Sequence, residues 1–226
     1  MAETLPLFPL GTVLLPGASL PLHIFEPRYR QLVADLVTGT VPDRRFGVVA
    51  IRQGWEVGPD NAESLYEVGC SALLREARRL PDARFDAIAV GERRFQLLDV
   101  DHDGAPYLIG RVEWLPDTDP PEEEASTMPG YAEAVLAAHR RYCDQAWHRE
   151  DWTAPPPAAD PDLLAYLVAA DSLLPVEDRQ RLLAETSPAR RLRMIRSLLC
   201  RETEFLRVLH AVPLPLAEYA TEITPN

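Results

Sequence analysis

Two side chains suited to holding a soft cation stand four residues apart, His139 and Cys143. On the helix that the apolar periodicity predicts from Pro129 to about Glu150, that spacing puts imidazole and thiol on one face. A zinc-like site needs two further ligands. His148 falls on another side of the same helix, and no carboxylate joins the pair at ligand spacing. A buried Cys beside a helical His is ordinary core packing, so no metal is expected. Asp99-Val100-Asp101-His102-Asp103-Gly104 opens like a calcium-binding loop, with carboxylates at positions 1, 3 and 5 and glycine at 6. Position 12, which requires a bidentate Glu, is Gly110. The expectation there is a hairpin whose Asp-Gly turn takes a positive φ.

Nucleophilic catalysis finds no footing, and no catalytic residue is assigned. GxSxG, SxxK and HExxH are all absent, and Ser19 in Pro16-Gly17-Ala18-Ser19 has no recognisable partners. All 23 basic residues are Arg, with no Lys in the chain. A P-loop, a Ser-Lys dyad and pyridoxal phosphate chemistry each need a lysine amine, so none fits within these residues. No cofactor is expected. Hydrolysis by carboxylates that meet only in space stays open.

The elements that must position any site divide the chain in two. Residues 116–129 read PDTDPPEEEASTMP, a turn-rich acidic stretch. It separates a β-rich part, residues 1–117, from a helical part, residues 118–226. Upstream, strands are predicted at Arg45–Ile51, Arg84–Val90, Phe95–Val100 and Tyr107–Trp114. Leu65–Leu80 reads as either a bent strand pair or a helix. After Glu26-Pro27, residues Tyr29, Leu32, Val33, Leu36 and Val37 recur at helical spacing, with Pro27 in the first turn and Gly39 as the stop. Downstream, helices are predicted from Pro129, from Asp160-Pro161, after Pro175 and after Ser187-Pro188. The last carries a stripe of Leu192, Ile195, Leu199, Leu206 and Leu209, widened by Leu198 and Phe205, with its arginines mostly outside.

Composition narrows the partners. The chain has 226 residues, 46% of them apolar, and a net charge of −12, which argues against nucleic acid. Charge is also unevenly divided: residues 113–178 are strongly acidic and residues 179–207 basic, an arrangement suited to pairing between neighbouring helices or to a basic docking face. Cys70, Cys143 and Cys200 form no CxxC and no disulfide framework. The longest apolar run free of Gly and Pro is Leu163–Ala170, far short of a membrane span. A cytoplasmic protein without membrane partners is expected. Trp55, Trp114, Trp147 and Trp152 lie in or beside predicted loops and element ends, where indoles serve either as core lids or as recognition anchors.

The string LPLFPLGTVLLPGASLPLHIFEPRYRQLV, residues 5–33, resembles the opening of the Lon protease N-terminal domain family. Phe46-Gly47-Val48-Val49, Val68-Gly69-Cys70 and Gly91-Glu92-Arg93-Arg94-Phe95 are similar to its later strands in the same order. Leu164-Ala165-Tyr166-Leu167, then Arg179 to Glu185 and Arg191-Leu192, resemble its helical end. The resemblance covers roughly residues 5–209 and is weakest over residues 118–160. It implies an α+β fold: a small, partly closed β-barrel carrying one helix, followed by a helical bundle. In function it implies a non-catalytic module that binds unfolded or partner polypeptides, a substrate receptor or an adaptor for a separate ATP-dependent protease, standing without the ATPase and peptidase.

A receptor for unfolded chains needs an apolar groove or a free strand edge. The Leu/Pro-rich segment Leu14 to Phe25 suits it, because its prolines keep it out of a central strand. Protein-binding candidates are therefore Leu14, Leu15, Leu20, Leu22 and Phe25, with Trp55. Glu26, Arg28, Tyr29, Arg94 and Phe95 are expected to be structural, with the charged ones in an ion-paired network. A small hydrolase and a regulatory oligomer remain as alternatives.

Overall fold

The computed structural model describes residues 2–52, 65–146 and 161–209. Trp55, Trp147, Trp152 and His148 lie outside them. Six strands and five α-helices follow in the order β1 (Glu3–Leu10), β2 (Ser19–Ile24), α1 (Pro27–Thr38), β3 (Arg45–Ala50), β4 (Val68–Arg79), β5 (Phe85–Asp101), β6 (Ile109–Trp114), α2 (Glu122–Ala146), α3 (Pro161–Ala170), α4 (Val176–Ala184) and α5 (Pro188–Leu209).

The strands close on themselves. β1 runs parallel to β3 and antiparallel to β6, β3 pairs with β4, β4 with β5, and β5 with β6, so five strands make a ring. β5 makes this possible by its length. Along one edge it pairs with β4 over Phe85–Gln96, while its other edge serves β2 over Phe85–Val90 and β6 over Phe95–Asp101. The two strands expected at Arg84–Val90 and Phe95–Val100 are thus one. Gly91, between them, is where the partner changes: its N–H donates to Ala18 O at 2.9 Å and its carbonyl accepts from Gly17 N–H at 2.8 Å. A Cβ there would sit 2.3 Å from the Leu15 carbonyl oxygen, so only glycine lets the two chains approach. Leu65–Leu80, ambiguous by pattern, is resolved as strand: β4 spans Val68–Arg79.

Phe95 is fully buried inside the ring with Leu5, Leu7, Val49 and Val112. Its ring fills the space over Gly69, where a Cβ would meet Phe95 Cζ at 2.4 Å. A larger apolar core lies outside the ring. There α1 buries Tyr29, Leu32, Val33 and Leu36, and the same core continues without interruption through Tyr142, Leu182, Leu192 and Ile195 of the helices. α1 keeps its expected bounds, with Pro27 in the first turn and Gly39 closing it at φ 83°.

Three further expectations change. α2 starts at Glu122, not Pro129, and carries Pro129 inside it. Its first turn holds Glu122, Glu123 and Glu124, which favour the positive end of the helix dipole. Ser126 and Thr127 hydroxyls donate to the Glu123 and Glu124 carbonyls at 2.8 Å each, next to the turn where Pro129 cannot supply an N–H. Its expected continuation to about Glu150 lies outside the described residues. On α5, Phe205 is 51% exposed rather than part of the apolar face, while Arg191 is completely buried. At the β5–β6 hairpin, Gly104 does not take a positive φ. The turn is held instead by Asp101, whose Oδ1 accepts from the Asp103 N–H at 2.9 Å.

Candidate functional site

β2 leaves the ring behind. Among the described residues it pairs only with β5, from Ser19↔Val90 to Ile24↔Phe85, so its other edge has no partner strand. Pro21 sits within it, a residue tolerated at edges because it has no N–H to offer a ladder. Alternation sorts its side chains: Leu20, Leu22 and Ile24 turn inward, half-buried to buried, and Pro21 and His23 turn outward. Phe25 follows directly and is 58% exposed.

Between the end of β1, β2 and the start of α1 runs a shallow apolar groove formed by Phe8, Leu10, Leu22, Ile24, Phe25 and Tyr29. Its floor is rigid. Phe8 and Tyr29 stack at 4.1 Å between ring centroids, and the Arg28 guanidinium lies 4.6 Å from the Tyr29 ring centroid. Arg28 Nε also donates to Glu26 Oε2 at 3.0 Å. The outer face of β2 borders a polar cleft. There Asp86 accepts from Arg78 at 2.8 Å and pairs with His23 Nδ1 at 2.8 Å. Those two hydrogen bonds hold its carboxyl below the usual carboxylate range. Ile88, 40% exposed, adds an apolar contact to this cleft.

The binding candidates therefore divide. Leu20, Leu22 and Phe25 stand along the free edge. Leu14 and Leu15, 4% and 1% exposed, are core residues with covered side chains, which does not suit a binding role; the backbone at Leu15 passes β5 at Gly91. Trp55 lies outside the described residues. Ile88 and Asp86 lie outside the candidate set, although the alternation of RFDAIAV places them together on the face opposite Phe85, Ala87 and Ala89.

The charged residues split into two groups. Glu26 and Arg28 pair with each other at the groove. Arg94 belongs to a separate buried network that joins ring to helices. Arg191 grips Asp117 with both ends, at 2.9 Å to Oδ1 and 2.7 Å to Oδ2, and Arg94 pairs with the same carboxylate. The Leu183 and Glu185 carbonyls accept from Arg94 at 2.9 and 2.8 Å, and the Glu185 carbonyl also accepts from Arg191. Opposite charges on neighbouring elements pair elsewhere too, Arg193 with Glu124 and Arg201 with Asp178.

His139 and Cys143 do meet, with Sγ and Nε2 3.6 Å apart. Burial pushes the Cys143 thiol up to about 12, so on its own it is no nucleophile. Cys70, fully buried in β4, is pushed up to about 12 by the same cause. No helix among the described residues is long and apolar enough to cross a membrane.

The family profile described as ATP-dependent protease La (LON) substrate-binding domain matches residues 4–201. Lon protease 1 of Herpetosiphon aurantiacus is 29% identical over 201 residues, which are 88% of this chain and 24% of that protein. Lon protease of Roseiflexus castenholzii is 32% identical over 209 residues, 91% of this chain and 25% of that protein. The chain thus spans about a quarter of the length of these relatives. Among solved structures, a Lon N-terminal domain protein from Xanthomonas campestris superposes with a TM-score of 0.57 at 25% identity, covering 93% of this chain and 99% of that one. The N-terminal domain of Mycobacterium avium complex Lon protease shares the fold, with a TM-score of 0.62 at 19% identity over 89% of this chain and 98% of its own. With a profile match spanning nearly the whole described chain and a five-strand ring followed by helices, this protein belongs to the family of the Lon protease substrate-binding domain.

Proposed function

We propose that this chain is a polypeptide-binding module that takes extended, apolar segments of unfolded or partner proteins along β2, acting as a substrate receptor or as an adaptor for an ATP-dependent protease. One observation carries the reading: among the described residues β2 has an edge without a partner strand, and Phe25 follows it directly, 58% exposed beside an apolar groove. An incoming strand gains main-chain hydrogen bonds from such an edge, and every second side chain finds the groove. The family's substrate-binding description supports the same direction. The bound segment is extended and apolar, because Leu22 and Phe25 offer apolar surface along the edge. Its binding site is read as cytoplasmic, where unfolded clients and ATP-dependent proteolysis coexist.

Titration of a fluorescently labelled, permanently unfolded model protein tests the proposal. Removing the Phe25 ring forfeits about 1.5–3 kcal/mol of apolar burial, so Phe25→Ala is expected to weaken binding about tenfold or more. Equal affinity in the variant, or no binding by the native chain to unfolded and folded clients alike, overturns the assignment.

A further inference from the structure

We propose that His139, Cys143 and Asp171 form a binding site for a divalent transition-metal ion of the zinc class. Asp171 is the ligand that helix spacing could not reveal. It follows α3, 28 positions beyond Cys143, and the packing of α3 against α2 returns it to the His-Cys face. One donor atom from each of the three residues lies within 4.8 Å of the others.

Two of the three separations are close to those within a coordination shell, and the third is within 4.8 Å. Donors about 2.0–2.3 Å from a tetrahedral zinc lie about 3.3–3.6 Å from one another. Here His139 Nε2 is 3.1 Å from Asp171 Oδ2 and 3.6 Å from Cys143 Sγ. The arrangement is also wrong for a proton relay. A Cys-His-Asp relay uses the two nitrogens of the ring in turn, whereas thiol and carboxylate here approach the same Nε2. Three donors grouped within 4.8 Å of one another suit a cation instead.

The donor set selects the ion. Thiolate and imidazole favour zinc or cobalt over calcium and magnesium, which prefer oxygen shells. Burial selects the access route: His139 is 1% exposed and Cys143 7%, while the Asp171 side chain is 38% exposed. The ion enters past Asp171, and a water takes the fourth position on that side. On binding, Cys143 coordinates as thiolate with its proton leaving to solvent, and His139 coordinates through Nε2 with its proton on Nδ1. The ion then clips α2 to the turn between α3 and α4. That turn already leans on α2, since Tyr142 OH accepts from the Leu173 N–H at 3.0 Å.

Cobalt(II) chloride, titrated into the reduced, chelator-stripped full chain, reads the site directly. The expected result is one equivalent bound, with a thiolate-to-cobalt charge-transfer band and the intense visible absorption of four-coordinate cobalt, both displaced by zinc chloride. Cys143→Ser loses the charge-transfer band, and Cys200→Ser, altering an exposed thiol elsewhere, keeps it. Asp171→Asn weakens zinc about tenfold or more and loses the zinc-induced rise in melting temperature. Because its carboxylate is partly exposed, this variant reports on binding even if Cys143→Ser fails to fold. Absence of the band in the native chain, its survival in Cys143→Ser, or native zinc affinity in Asp171→Asn overturns the site.

Discussion

At the scale of single residues, Asp117 has the largest consequence for its size. One carboxylate offsets two guanidiniums, of which Arg191 is completely buried and Arg94 is 5% exposed. Arg191 is further committed by its stacking 4.3 Å from the Tyr166 ring centroid. Removing one partner of a buried pair leaves an uncompensated charge. Asp117→Ala is therefore expected to cost about 3–5 kcal/mol in urea unfolding, whereas Arg111→Ala, on an exposed pair with Asp99, should cost under about 1 kcal/mol. Tyr107 supplies a pH signature. Its hydroxyl donates to Asp35 Oδ2 at 2.8 Å, and burial, aided by that carboxylate, raises its pKa from 10.0 to about 12. Between those values the unfolded chain loses this proton and the folded chain keeps it, so stability present below pH 10 declines as pH rises towards 12. Tyr107→Phe should be about 1–2 kcal/mol less stable near neutral pH, from the lost hydrogen bond, yet show a shallower alkaline decline. Urea midpoints on both sides of pH 10 check this. Arg94 was legible as a motif residue, but its partner was not, because Arg191 and Asp117 lie far from it in sequence.

At the scale of elements, β5 decides the architecture. A strand of 17 residues can serve two partners on one edge, and the exchange from β2 to β6 needs a residue without a side chain where Leu15 crosses. Gly91→Ala should force Leu15 and β2 to shift, at a cost of about 1–3 kcal/mol by the usual scale of overpacking. Thermal melting checks the cost, and loss of amide protection along β2 in hydrogen exchange checks the location. Periodicity found α1 to within a residue or two, because Pro27 and Gly39 mark its ends with fixed backbone preferences. It split β5 in two, because Gly91-Glu92-Arg93-Arg94 interrupts the apolar alternation. Those residues stay in strand because the ladder to β4 continues across them, from Cys70↔Arg94 to Ala72↔Gly91. Tertiary pairing there outweighs local pattern.

At the scale of the whole molecule, strand ring and helices share one apolar core, and the Arg94–Asp117–Arg191 network lies across their junction. The full chain is expected to unfold in one transition, with far-ultraviolet circular dichroism and tryptophan fluorescence coinciding in urea; two separated transitions would show that the halves divide despite that core. Composition and local spacing by themselves determined much of this protein. The lack of lysine excludes whole classes of chemistry within the chain, and capping residues and periodicity place α1 and the starts of α3, α4 and α5, though not that of α2. The ordered motif strings identify the family. Only tertiary structure decided which residues face a partner. Leu14 and Leu22 are the same side chain in the same Leu/Pro-rich segment, yet one is sealed in the core and the other lines a groove beside a free edge. Likewise, Asp171 joins His139 and Cys143 only after α3 packs on α2. Exposure and convergence depend on contacts between distant parts of the chain, which local sequence periodicity does not encode.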